Sequence, residues 1–244
     1  MLSSELNVRE HFAAQSKLLE QKAETLLEAS RKLKQLTMAA TTDESIPWES
    51  IIKSIEVFRM TQRIEDSWVG KVLTADELNL YVKFAKGLDA RFTATEKQQN
   101  EAVWADLLKE IQVSLKLDPA SEQAKALARR ILNWVKQLYG KEFASLRLTI
   151  WEKGFKGGPA AAEKGLSAEA VTWIDQAVQA FYKEKTMAIL SQSDKMSSEE
   201  LARLWNDLLE ERYCDSEPHK QKFTRMVLDE FEINHTAREF LLSR

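Results

Sequence analysis

The side chains able to do chemistry are few and widely spaced. The histidines are His11, His219 and His235, and the single cysteine is Cys214. No His-x3-His or Cys-x2-Cys spacing occurs, so no zinc site is expected. Cys214 has His219 five residues on, but Asp215 beside it opposes a thiolate, and a cysteine nucleophile needs both a base and an orienting group. The expected state is a half-buried, inert thiol. A ferritin-like diiron centre needs a Glu-x-x-His pair on each of two helices. Glu232 precedes His235 at that spacing, and no second pair exists. Exposed carboxylates such as Asp106 and Glu110 read as a solvated helix face. The glycine-rich stretch from Gly154 to Pro159 lacks the Gly-Lys-Ser/Thr ending of a phosphate loop and no strand precedes it. It reads as an inter-helix loop, whose neighbours Lys153, Lys156 and Lys164 could meet an anion. The cluster from Arg31 to Lys34 suits the C-terminal end of a helix dipole. None of these residues supports a named reaction. The expectation is a binding protein without cofactor or metal, not an enzyme.

Aromatic content is the unusual feature. Seven tryptophans, at 48, 68, 104, 134, 151, 173 and 205, exceed what packing alone requires. Most fall on apolar helix faces, where core packing is the default. The alternative is that several line a ligand cavity, since such pockets are mostly apolar and aromatic and form between bundle helices.

The elements that must position these rings are helices. The chain has 244 residues with seven glycines and four prolines, too few for a turn-rich β architecture. Residues 4–36 read as one long helix spanning roughly 45 Å at helical rise. Phe12, Leu19, Leu26 and Leu33 recur every seven residues, beside small residues Ser16, Ala23 and Ser30. That stripe predicts a coiled coil. A polar linker comes next, and Pro47 opens another helix. Thr74 with Glu77, Thr95 with Gln98, and Ser197 with Glu200 have capping-box spacing. Asp118-Pro119 and Ser167 are further start signals, and Gly140 is a left-handed C-cap. The run from Trp104 to Glu110 is echoed by that from Trp205 to Glu211, either a degenerate repeat or a coincidence of common helix formers. The expected division is a coiled-coil helix over 1–37, a linker with packing helices over 38–94, a helical domain over 95–190 and a helical extension over 191–244 that would hold the second copy if the echo is a degenerate repeat.

Charge narrows the partners. The net charge is −3 and the pI about 5.8, with mixed signs, which is no nucleic-acid footprint. The N-terminus carries Glu5, Arg9 and Glu10 and no apolar core, unlike a signal peptide. No run approaches the roughly 18 apolar residues of a membrane span. A cytoplasmic location is expected.

The order of these features resembles a known family. The run from His11 to Leu36 resembles the dimerisation helix of MerR-family transcription regulators. The chain beyond the linker is similar to their TipAS-like effector domain, on the run from Trp104 to Glu110, the run from Asp118 to Glu122, and Gln123 to Arg130 with Trp134. The resemblance covers residues 8–185. It implies an all-α chain in which a coiled-coil helix precedes a globin-like, TipAS-like bundle. It implies a homodimer seam at Phe12, Leu19, Ala23, Leu26 and Leu33. It also implies a cleft for a small hydrophobic or amphipathic molecule, for which Trp104, Trp134, Trp151, Phe155 and Trp173 are the candidates. DNA would be reached through an N-terminal head outside this chain. Trp134 lies further from Arg129 and Arg130 than the family's pattern has it, and the tail past 190 extends the usual domain. Metal-sensing relatives carry paired cysteines near the end of the dimerisation helix, and this chain has none there. The rival expectation is a helical interaction scaffold that uses the first helix alone and has a core without a cavity.

Overall fold

A computed structural model describes residues 66–244 except Asp215 and Arg244, with scattered helical positions between 16 and 64. The side chain of Asp89 also lies outside the description. The described residues form ten α-helices, one π-helical segment and one short 3-10 turn, and no strand. None of these helices is long and apolar enough to cross a membrane. The proposed seam residues Phe12, Leu19, Leu26 and Leu33 lie outside the described residues, as do Pro47 and Trp48. Ser16, Ala23 and Ser30 are described, and each is helical and exposed.

The chain divides into two compact units, Met1–Arg91 and Phe92–Arg244. In the first, α1 (Trp68–Val72) starts where the Ser67 hydroxyl accepts from the Val69 N–H. Helix α2 (Ala75–Arg91) opens on the expected box, with Glu77 Oε2 accepting from Thr74 N at 2.7 Å. The pair buries Val69, Leu73, Leu78 and Phe84.

The second unit begins with α3 (Ala94–Ser114), and its box is built by Thr93 and Glu96. Thr95 and Gln98 are two residues too late for this role. Glu96 reaches back to both the N–H and hydroxyl of Thr93 at 2.8 Å, and its carboxylate also suits the helix dipole better than Gln98 could. Helix α4 (Glu122–Tyr139) is capped by Ser121, not opened at Pro119. Asp118 instead accepts from Ala120 N at 2.9 Å, which holds a turn ahead of the helix. Gly140 ends α4 at φ 66° as expected.

Helix α5 (Ala144–Thr149) runs into the π-helical segment Ile150–Phe155. The expected loop from Gly154 to Pro159 is therefore partly helical. After it come α6 (Pro159–Glu163) and the long α7 (Ala168–Leu190), which Ser167 caps through Ala170 N. The 3-10 turn Ser193–Lys195 leads to α8 (Ser198–Tyr213), capped by Ser197, then α9 (Glu217–Glu230) and α10 (His235–Leu242).

Two hydrophobic clusters share α7. The first gathers Leu107 and Ile111 of α3, Leu127 and Ile131 of α4, and Val171, Trp173, Ile174 and Ala177 of α7. Its most extensive pairing is α4 against α7, where Ala124, Ala128, Ala170 and Ala177 are almost wholly buried and small enough to let the two backbones approach. The second gathers Tyr182 and Leu190 of α7 with Leu201, Trp205, Leu208, Phe223, Val227 and Leu241. Val178 packs against both clusters.

The repeated heptapeptide has a structural parallel. Trp104 stacks on Trp134 of the next helix, with centroids 5.1 Å apart and planes 16° from parallel. Trp205 stacks on Phe223 of its next helix at 6.0 Å and 13°. Each tryptophan thus ties one helix pair into one cluster.

A polar layer joins α4, α7 and α8. Lys136 and Lys185 both reach Glu211, the first at 3.0 Å, and Lys136 also lies 3.5 Å from the Tyr182 hydroxyl. Burial pushes the Tyr182 pKa up and the Lys136 pKa down. Burial would raise Glu211, but the hydrogen bonds from Lys185 and Lys136 outweigh it and hold its carboxyl below the ordinary value. Arg212 rests against the rings of Phe223, Tyr182 and Tyr213 at 4.3, 4.6 and 5.1 Å.

Candidate functional site

The π-helical segment is the local irregularity that builds a site. Lys156 N donates to Trp151 O at 2.9 Å, five residues back, where an α-helix would use the residue four back. Such insertions recur at functional sites because one extra residue re-aims the side chains after it. Here those side chains are Phe155 and Lys156. Gly157 comes next because the Lys153 carbonyl leaves no room: a Cβ would sit 2.2 Å from that oxygen. Gly158 adopts φ 97°, a left-handed conformation that turns the chain into α6.

Between this segment, α6 and the start of α7 lies a cleft of about 620 Å³. That falls within the roughly 300–1,000 Å³ of small-molecule pockets. Its walls are mostly apolar: Phe155, Ala161, Ala162, Leu166 and Val171. Lys156 and Asp175 supply the charges at its edge, with Ser167 and Thr172 nearby. Thr172 is already engaged, its hydroxyl donating to the Ala168 carbonyl at 3.0 Å.

Asp175 is held from two sides. Its Oδ1 accepts from Trp151 Nε1 at 3.1 Å, and its Oδ2 accepts from Gln179 Nε2 at 2.7 Å. Lys156 Nζ lies 3.4 Å from Asp175 and 3.3 Å from Glu152. Partial burial disfavours the ammonium, but Asp175 and Glu152 more than compensate and hold the Lys156 pKa above its ordinary value.

Of the five candidate ligand residues, Phe155 lines the cleft directly. Trp151 stands behind it, stacked on Phe155 at 5.5 Å and 27°. Trp173 is buried in the first cluster, its N–H donating to the Leu117 carbonyl at 2.9 Å. Trp104 and Trp134 form the stack between α3 and α4, and the buried Trp134 N–H has no hydrogen-bond partner. These three rings pack against the first cluster and are not among the residues lining the cleft. Sequence reasoning missed Asp175. Its one sequence signal is a carboxylate four residues after Val171, at the border of the α7 apolar stripe.

The remaining candidate groups are engaged elsewhere. His219 Nδ1 meets Ser216 Oγ at 2.6 Å, and its ring stacks on Tyr213. Cys214 is half-buried at φ 52°, with Arg147 Nη2 3.6 Å from its sulfur. No group of three or more His, Cys, Asp or Glu side chains able to hold a metal occurs among the described residues.

Fold and cleft together define an all-helical domain with an apolar, carboxylate-edged recess. No protein-family model matches the chain, and no curated protein or solved structure matches it.

Proposed function

We propose that this chain is the dimerisation and effector-binding portion of a MerR-like transcriptional regulator, and that its effector is a small hydrophobic or amphipathic molecule. The cleft carries this reading. It has the size and apolar lining of a small-molecule site, an aromatic wall at Phe155, and a few polar groups gathered at one edge. A scaffold that used its first helix alone would have no need of the π-helical insertion and close-packed glycine that shape this recess.

The ligand bridges the π-helical segment, α6 and α7. Because α7 runs through both hydrophobic clusters, a ligand that favours one position of α7 shifts the whole unit between two states. The homodimer, sealed at Phe12, Leu19, Ala23, Leu26 and Leu33, would carry that shift towards a DNA-binding head.

The test is a thermal-shift screen of small hydrophobic compounds against the chain and its Ala162→Trp variant. Ala162 is exposed and lines the cleft, so the indole fills it without entering a core. Hits that stabilise the parent and not the variant support the reading. Hits indifferent to Ala162→Trp, or no hits, count against it. Replacing Leu19 and Leu26 with Lys is expected to give a monomer that still binds the same compounds.

A further inference from the structure

We propose that the cleft selects organic cations, the ligand's ammonium replacing that of Lys156 on Asp175 while its apolar body lies along Phe155, Ala161, Leu166 and Val171. This rests on the reading of the cleft as a small-molecule site.

Lys156 and Asp175 are the charged residues lining the cleft, and Glu152, outside the lining, is the second partner of Lys156. Two carboxylates, Asp175 and Glu152, converge on one ammonium, that of Lys156. An anionic ligand would find that cation already claimed twice and would face Asp175 at close range. A cationic ligand finds a carboxylate held in place by the Trp151 N–H and the Gln179 amide. Asp175 is fixed, and its side chain keeps 20% of its exposure at the cleft edge. Lys156 is the movable partner. Its ammonium sits on a flexible four-carbon stem, is 37% exposed, and retains Glu152 when it leaves Asp175. Arg212, the other cation whose charge Asp175 favours, has its guanidinium against three rings.

The apolar wall agrees. Phe155 lines the cleft together with Asp175 and is stacked on Trp151, whose N–H holds that carboxylate. A carboxylate attracts an alkylammonium through a charge-assisted hydrogen bond, and an aromatic ring adds a weaker cation–π attraction. Lys156 therefore acts as a tethered stand-in, holding Asp175 paired until a ligand amine arrives.

The experiment is isothermal titration of the full chain with three matched probes: 1-naphthylmethylamine, 1-naphthalenemethanol and 1-naphthaleneacetate, at neutral pH and low salt. The amine should bind about tenfold tighter than the alcohol, the difference a charge-assisted hydrogen bond supplies, and the acetate most weakly. Asp175→Asn keeps an acceptor for Trp151, so the chain should remain folded, as melting will verify. That variant should bind amine and alcohol alike. Lys156→Met removes the competitor and should tighten the amine further, which tests the proposal even if Asp175→Asn is unstable. If the alcohol binds and the amine does no better, or the acetate binds best, the charge selection is wrong and the cleft reading survives. If none of the three binds, the cleft reading falls and takes this proposal with it.

Discussion

The indole N–H of Trp151 donates to Asp175 at 3.1 Å, tying the π-helical segment to α7 across the edge of the cleft. One bond thereby sets both the aromatic wall, since Trp151 backs Phe155, and the direction of the carboxylate. Trp151→Phe keeps a ring for the stack and removes the donor. The expected cost is about 1–2 kcal/mol, because Asp175 is left half-buried with one partner fewer. Denaturant unfolding measures it. The same variant should bind 1-naphthylmethylamine more weakly, since the carboxylate is no longer held in position.

Gly157 is a second point of control. A methyl group there would lie 2.2 Å from the Lys153 carbonyl oxygen, which is backbone and cannot swing aside. Gly157→Ala should therefore unwind the π-helical turn, cost about 1–3 kcal/mol, and abolish probe binding. Gly158→Ala meets no atom within 4 Å but must hold φ 97°, so it should lose about 1–2 kcal/mol through strain alone. Thermal melting of the two variants, with and without 1-naphthalenemethanol, separates these effects.

The second hydrophobic cluster depends on Trp205, which is 1% exposed and stacked on Phe223. Trp205→Ala should destabilise the chain by about 3–5 kcal/mol through lost burial and the cavity left behind. Val113 is 67% exposed, and Val113→Ala should change stability by no more than about 0.5 kcal/mol. Equilibrium unfolding of the two variants compares them directly.

Glu211 gives the stability curve an acid limb. Its carboxyl pKa is held below 4.5 in the folded chain by Lys185 and Lys136, against the opposing effect of burial. Between that lowered value and 4.5 the unfolded chain binds more protons, so stability is full above 4.5 and is lost as pH falls through the folded value. Glu211→Gln should lower stability at neutral pH and make the acid limb shallower. Lys136 has the opposite dependence on its charge: burial lowers its pKa, so stability gains as pH rises past that folded value towards 10.5. Unfolding midpoints measured across pH for both chains would show the two limbs. An unchanged acid limb in Glu211→Gln would mean that this carboxylate does not produce it.

The features specified by local chemistry are legible in the residues. The all-helical class follows from scarce Gly and Pro, and the caps at Thr74, Ser167 and Ser197 and the C-cap at Gly140 need no more than their neighbours. Two local signals compete at the starts of α3 and α4, and there the spacing alone misleads. Thr93 displaces Thr95 because Glu96 supplies a charged reciprocal partner, and Ser121 displaces Asp118 because the aspartate holds a turn instead. The π-helical turn is not legible. Its five-back hydrogen bond depends on the fit of Gly157 against Lys153, and glycines there look like a plain loop. In the site, Phe155 stands out as an aromatic ring beside glycines. Asp175 does not, because a single helix carboxylate ordinarily faces water, and its role comes from an indole 24 positions away. Trp104, Trp134 and Trp173 carry the same apolar-face signal as a pocket residue, and the neighbours that make them packing residues come from other parts of the chain.

The proposed function requires a small apolar molecule in the cleft between the π-helical segment, α6 and α7. An amide NMR titration of the chain with 1-naphthalenemethanol, repeated on Ala162→Trp, would detect it there. Saturable shifts centred on Gly158, Leu166, Ser167 and Val171, absent from the variant, are expected. Shifts centred on the Trp205 cluster, shifts that persist in Ala162→Trp, or no saturable response would contradict it.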